Sequence, residues 1–288
     1  MSDDRLDRRD DRPWRSEALV TVWPLAPDRA ITRLSSIISS DTGALLAPSL
    51  SDSRVIAQVR GVLARGGRVH VPDVFSQPAA QQLYEACREL DWKLVFRGAR
   101  TNYDFAAKDV SALEVGQKEA LLDSIHAQAS SGFQYLYDSY RISDFAEAGT
   151  LERGPLASFF NALNSDTMLA RLRALTGDDR IAYLDAQATR FRPGHFLTAH
   201  DDHQPDKHRL YAYVLNLTPV WRADFGGLLM FIGDDGHIAE AYTPRWNALN
   251  ILRVPQPHAV SVVAPFARGA RYSITGCMRS KKPAFARS

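Results

Sequence analysis

Arg192-Pro-Gly-His195-Phe-Leu-Thr-Ala-His200-Asp201-Asp202 is the stretch that decides how this chain is read. Pro193-Gly194 is a turn signal, and the short run that follows, flanked by turn residues, predicts a strand. Side chains on a strand alternate faces, so His200 and Asp202 are expected on one face and Asp201 on the other. An imidazole and a carboxylate on one face of a rigid element can share a metal ion. A second imidazole from another strand would complete a facial set of two histidines and one carboxylate, which leaves coordination positions open. His258, in Val254-Pro-Gln-Pro-His258-Ala-Val260, is the candidate.

His-x-Asp alone is a weak pattern, and the chain has 8 histidines. Arg271, in Arg271-Tyr-Ser273-Ile-Thr275-Gly276, adds weight. On a strand Arg271, Ser273 and Thr275 share a face. An arginine pointing inward beside hydroxyls needs an anionic partner, because an unpaired buried charge is strongly disfavoured. That partner is either an internal Asp or Glu, which makes Arg271 structural, or a ligand carboxylate held by the guanidinium fork.

The ordered set His200-x-Asp202, His258 and Arg271-x-Ser273 resembles the iron- and 2-oxoglutarate-dependent dioxygenases, and more closely their prolyl-hydroxylase branch. Phe191 to Asp202, Tyr213-Val-Leu-Asn-Leu-Thr-Pro-Val-Trp221, Gly226-Gly-Leu-Leu-Met-Phe231 and Arg271-Tyr-Ser-Ile-Thr-Gly276 carry the resemblance, which spans roughly residues 50 to 280. The nearest likeness is to the oxygenase domain of ribosomal-protein prolyl hydroxylases and their bacterial relatives. The chain departs from the pattern at Cys277, where relatives often carry Trp, and in a longer step from His258 to Arg271.

The resemblance implies Fe(II) held by His200, Asp202 and His258. It implies 2-oxoglutarate and O2 as cosubstrates, with ascorbate as a candidate accessory. The far carboxylate of 2-oxoglutarate would pair with Arg271, with Ser273 adding a hydrogen bond and Tyr213 nearby. The implied reaction hydroxylates a C–H bond of a prolyl residue in a peptide or protein and releases succinate and CO2. A small-molecule or free amino acid hydroxylase with the same iron site is the enzyme alternative. A non-catalytic 2-oxoglutarate sensor is the other.

The 288 residues carry a formal net charge of +2, with 45% hydrophobic and 24% charged residues, as in an ordinary globular protein. The balance gives no reason to expect nucleic-acid binding. Two cysteines, Cys87 and Cys277, stand in no metal or disulfide spacing, and a cytoplasmic location follows as the expectation. Residues 1–16 alternate Asp and Arg and read as a disordered charged tail without a signal-peptide core. Residues 17–50 are an extension of uncertain structure, and no stretch has the length of a membrane span. The oligomeric state is not legible.

Residues 51–288 read as a single oxygenase domain. Helices are expected at Ser53–Arg65, from about Pro78 to Leu90, at Glu114–Ala129, Pro155–Leu163 and Thr167–Thr176. Strand-like runs sit at Val69–Val71, Trp92–Phe96 and Phe133–Tyr140. After Gly177 short strands separated by turns take over, at about 181–191, 195–201, 209–217, 227–232, 237–242, 247–252, 258–263 and 270–278. The fold class is α+β: a double-stranded β-helix, or jelly roll, over about 181–280, flanked by the N-terminal helices.

His70 reads as a strand residue. His195, His203 and His208 cluster near the proposed site, the last two in a polar loop, and Asp201 is a candidate support residue. Gly226-Gly227 signals a bulge or a close backbone approach. Gln187, Arg190, Tyr137 and Arg141 are candidate substrate-facing residues. Nothing resembles a phosphate-binding loop or a serine-hydrolase elbow, which lowers those readings.

Overall fold

Asp52 caps the first helix by accepting a hydrogen bond from the Arg54 amide at 2.8 Å, and Gly67, in the left-handed region at φ 69°, closes it. In this computed structural model, residues 51–282 are described; the expected tail (1–16) and extension (17–50) lie outside them. The first helix is α1 (Ser53–Gly66). It packs on one side of a sheet with α2 (Gln77–Arg88), α6 (Pro155–Leu163) and α7 (Asp166–Thr176). Leu63, Leu83, Phe159 and Leu172 from these helices bury against Tyr211, Leu215, Ile251 and Ile274 of the sheet. Fully burying one such aliphatic or aromatic side chain contributes about 1.5–3 kcal/mol.

The sheet runs from β1 (Arg68–Val71) through β11 (Ala248–Arg253), β8 (Arg209–Asn216), β13 (Arg271–Arg279) and β6 (Gln187–Phe191) to β4 (Tyr135–Tyr140). It continues through β7 (Phe196–His200), β12 (His258–Val260), β9 (Leu229–Ile232) and β10 (Ile238–Tyr242). Neighbours along the path are antiparallel. The two ends approach each other, with Arg68 Nε 2.5 Å from Glu240 Oε2 and the His70 and Tyr242 rings 5.4 Å apart. The sheet therefore curls almost into a barrel, the jelly roll expected from the sequence, with one face under the helices and the other around a cavity.

Alternation assigns the faces. On β8, Tyr211, Tyr213 and Leu215 pack under the helices, while Ala212 and Val214 face inward with Leu229, Phe231 and Leu252. On β13, Ile274 and Met278 join the helical core, which puts Arg271, Ser273, Thr275, Cys277 and Arg279 on the inward face.

Four elements depart from the expectation. The predicted strand over 181–191 is two pieces, β5 (Tyr183–Leu184) and β6, because Tyr183 and Leu184 pair with Arg279 and Met278 while β6 pairs with Arg271–Thr275. Between them the Asp185 backbone oxygen lies only 2.0 Å from where a Cβ on Gly276 would sit, an approach that only glycine permits. A hairpin of β2 (Lys93–Arg97) and β3 (Asn102–Ala106) widens the sheet beside β4, and β3 is an exposed edge with no inward apolar residue to reveal it. The short helices α3 (Ala107–Ala112) and α5 (Ile142–Glu147) span too few turns to show a periodicity. The expected helix at Glu114–Ala129 is α4 (Val115–Ala129), with Glu114 and Gln117 forming a capping box.

Candidate metal centre and its cavity

His200 and His258 face each other as register partners on β7 and β12, with ring centroids 4.1 Å apart. His200 Nδ1 lies 3.0 Å from the Thr198 carbonyl and His258 Nδ1 2.8 Å from the Gln256 carbonyl. A carbonyl only accepts, so each Nδ1 carries the proton and each Nε2 presents a lone pair. Both Nε2 atoms turn to Asp202: 3.8 Å from His200 to Oδ1 and 3.4 Å from His258 to Oδ2. The three ligand atoms all lie within 4.8 Å of one another. Burial first, and then the adjacent His200, push the His258 imidazole below its ordinary pKa and favour the neutral form that binds metal.

Asp202 reaches this position by a different route from the expected one. β7 ends at His200, and Asp202 sits in a left-handed turn at φ 61°, outside any strand. Asp201 accepts a hydrogen bond from the His203 amide at 2.9 Å and so shapes that turn. Two nitrogen donors and one carboxylate suit a first-row divalent ion such as Fe(II).

The cluster lines a cavity of about 840 Å³. Arg271 lines the same cavity and is 2% exposed. Its Nη1 donates to the Gly227 carbonyl at 2.7 Å, its guanidinium lies 5.2 Å over the Phe191 ring, and its Nε has no partner. Among the described residues no carboxylate pairs with it, and burial lowers its pKa to about 10. A buried cation without its anion fits the far carboxylate of 2-oxoglutarate. Gly226 and Gly227, at φ 70° and 62°, make the close backbone approach behind it: a Cβ on Gly226 would stand 2.0 Å from the Val262 carbonyl.

The other candidates divide. Ser273 is buried, but its hydroxyl is turned to Asn216 Oδ1 at 3.4 Å, and it is not on the cavity wall; Thr275 is. Tyr213 reaches the cavity wall from the helical side, where its ring packs in the core, and donates its hydroxyl hydrogen to the Asp185 carbonyl at 2.7 Å. Tyr137, in contrast, lines the cavity, stacks on Phe191 at 5.0 Å and has its phenol pushed up to about 12 by burial. Gln187 and Arg141 also line the cavity. Arg190 corrects the expectation: it turns away from the cavity to the buried Asp138 at 2.8 Å and lies over Trp92. β6 presents Gln187 and Thr189 inward and Arg190 outward, as alternation requires.

His203 lies at the exposed mouth, whereas His208 is not on the cavity wall. His195 is buried apart from the cluster, 3.4 Å from the Arg190 carbonyl. Sequence reasoning missed Asp185, Arg209 and Arg279, all on the cavity wall. Arg279 had a signal: the alternation through Arg271, Ser273 and Thr275 reaches it when extended.

Residues 186–279 match the family model of the 2OG-Fe(II) oxygenase superfamily. No curated protein sequence matches the chain. Among solved structures, a prolyl-4-hydroxylase of Pseudomonas putida shares 17% identity at a TM-score of 0.51, over 79% of this chain and 100% of that one. A prolyl hydroxylase of Trichoplax adhaerens, in complex with a peptide fragment of the hypoxia inducible factor oxygen degradation domain, shares 16% at 0.53, over 80% and 91%. An oxidoreductase of the 2OG-Fe(II) oxygenase family from Burkholderia pseudomallei shares 13% at 0.53, over 80% and 92%. At such identities the likeness is one of fold, and the matched segment is the one that carries His200, Asp202, His258 and Arg271. Over residues 186–279 the chain is thus similar to the 2OG-Fe(II) oxygenase superfamily, and its jelly roll is the fold of the prolyl hydroxylase structures.

Proposed function

We propose that the chain is an Fe(II)- and 2-oxoglutarate-dependent dioxygenase that hydroxylates a prolyl residue of a peptide or protein in the cytoplasm. The observation that carries the oxygenase reading is the meeting, in one cavity, of the His200–Asp202–His258 cluster and an Arg271 that pairs with no carboxylate among the described residues. His200, Asp202 and His258 would hold the iron, and Arg271 the far carboxylate of 2-oxoglutarate. When bound, iron and 2-oxoglutarate supply the oxidising power that inserts one atom of O2 into a C–H bond, with succinate and CO2 as coproducts.

The protein's own share is positional. The Thr198 and Gln256 carbonyls fix both imidazoles with Nε2 inward. Gly227 holds the Arg271 fork, and the Phe191 ring lies against its guanidinium. Phe133, Tyr135 and Tyr137 form an aromatic wall beside His200, Phe133 at 5.6 Å, suited to the flat apolar side of a pyrrolidine ring. The prolyl reading draws support from that wall and from the two prolyl hydroxylases that share the fold.

Anaerobic addition of Fe(II) and then 2-oxoglutarate tests the oxygenase reading through the weak visible charge-transfer band of the chelate. Succinate release on admitting air, followed by a gain of one oxygen atom on proline in a peptide library, tests the reaction and its substrate. If no band and no succinate form, the reading fails. If succinate forms but no prolyl peptide is modified, only the substrate is wrong.

A further inference from the structure

β13 carries an arginine at each end of its inward face. Arg271 stands at one end, with its place in the reading above. Arg279 stands eight residues further along the same face, about 25 Å away at the rise of a strand. One 2-oxoglutarate molecule held at Arg271 cannot span that distance, so Arg279 needs its own explanation.

Arg279 lies opposite Arg209 in the register of β13 and β8, and both line the cavity. Like charges directly opposite one another on neighbouring strands are destabilising. Both side chains are largely buried, with 11% and 19% exposure. Asp185 pairs with Arg279. Arg209 donates through Nη1 to the Asp202 carbonyl at 3.0 Å and approaches Asp202 Oδ1 at 3.5 Å, but that carboxylate belongs to the metal cluster. Apart from the metal cluster, Asp185 is the carboxylate in direct contact with the pair, and Glu147 acts on Arg279 only from further off. Among the described residues neither Arg209 Nε nor Arg279 Nε has a hydrogen-bond partner.

We propose that Arg209 and Arg279 form a second anion site, which holds a carboxylate of the substrate next to the metal centre. The inference rests on the oxygenase reading and deepens it: the substrate is an anion whose carboxylate fixes which C–H bond faces the metal. A prolyl substrate could supply that group in two ways, as its own α-carboxylate or as an adjacent acidic side chain.

The test compares matched probes on the full chain loaded with Mn(II) and 2-oxoglutarate under argon, with binding read by calorimetry. The pairs are N-acetyl-proline and N-acetyl-prolinamide, N-acetyl-alanine and N-acetyl-alaninamide, and acetyl-Ala-Pro-Asp-amide and acetyl-Ala-Pro-Asn-amide. The carboxylate member of at least one pair is expected to bind about 10- to 100-fold more tightly, from one or two charged hydrogen bonds. Arg279→Gln should erase that preference and Arg279→Lys retain part of it. Arg279→Gln combined with Asp185→Asn serves if the single variant leaves Asp185 stranded and the fold impaired. A preference in the first two pairs identifies a free α-carboxylate, and one in the third pair alone identifies an acidic side chain. Equal binding in every pair, or a preference that survives Arg279→Gln, overturns the anion site. The wild-type succinate assay separates this outcome from failure of the oxygenase reading itself.

Discussion

Arg271 and His195 are both buried ionisable side chains, and their surroundings give them opposite work. Among the described residues Arg271 is held by a single backbone carbonyl and pairs with no carboxylate. Arg271→Lys keeps the charge but loses the fork. Hydrogen bonds to charged groups contribute about 1.5–3 kcal/mol each, so the KM for 2-oxoglutarate should rise about 10- to 100-fold. Arg271→Ala should be worse, while metal affinity stays close to wild type in both. Titrating 2-oxoglutarate beside a thermal melt checks this; an unmoved KM with a lowered Tm would make Arg271 structural. His195 has its imidazole pKa pushed down from 6.5 to about 4, chiefly by burial. The folded state therefore keeps it neutral while the unfolded chain takes up a proton below about pH 6.5. Its contribution is complete above that pH and is lost as the pH falls toward 4. Its shift corresponds to roughly 2–3 kcal/mol by the lower end of that window. His195→Gln should flatten this part of the Tm-against-pH curve, and an unchanged slope between pH 6.5 and 4.5 would count against it.

At the scale of elements, the site depends on where strands stop. β7 ends at His200, and the left-handed turn that follows brings Asp202 round to the two imidazoles. On the opposite wall, the break between β5 and β6 lets the Asp185 backbone press on Gly276. There Asp185 Oδ1 accepts the Cys277 amide at 2.7 Å, and its carbonyl accepts the Tyr213 hydroxyl. Gly276→Ala would drive a methyl to 2.0 Å from that carbonyl, and backbone must move to relieve it. The expected loss is at least the roughly 1–3 kcal/mol of an overpacked core, read from denaturant midpoints. Gly132→Ala, with no atom within 4 Å of its new methyl, is the control and should be nearly neutral. Equal midpoints for the two variants would show that the β5–β6 connection yields easily.

For the molecule as a whole, ligand and fold are linked. The three candidate ligands come from β7, the turn after it and β12, and Arg271 from β13, so occupancy ties together strands from both sides of the roll. A ligand at a hundredfold excess over its Kd stabilises by about 2.7 kcal/mol. For a chain of this size each kcal/mol shifts Tm by roughly 2–4 °C. Mn(II) with 2-oxoglutarate should therefore raise Tm by several degrees, and a chelator should reverse the rise. His258→Ala and Asp202→Ala should abolish the shift, whereas Asp201→Ala, which shapes only the turn, should retain most of it. A full shift in Asp202→Ala would remove that carboxylate from the metal set.

Periodicity and turn residues were enough to read the long helices and the jelly roll, because each of those elements has one face buried in the core and one outside it. His200, Asp202, His258 and Arg271 were legible for a related reason: they are polar residues in strand-like runs, where burial demands partners. The route was less legible, since strand alternation predicted the place of Asp202 and a left-handed turn supplies it. Arg190 shows what one strand cannot say. It lies on its strand as expected, but which face of that strand looks into the cavity was set by the packing on the other. Asp138, distant in sequence and buried on β4, drew Arg190 out of the site. Arg209 and Arg279 form a pair only through the register of β8 against β13. Local sequence determined the elements and their polar exceptions. Which of those exceptions meet was decided by tertiary structure alone, because a buried charge is governed by the nearest opposite charge in space, wherever that charge lies along the chain.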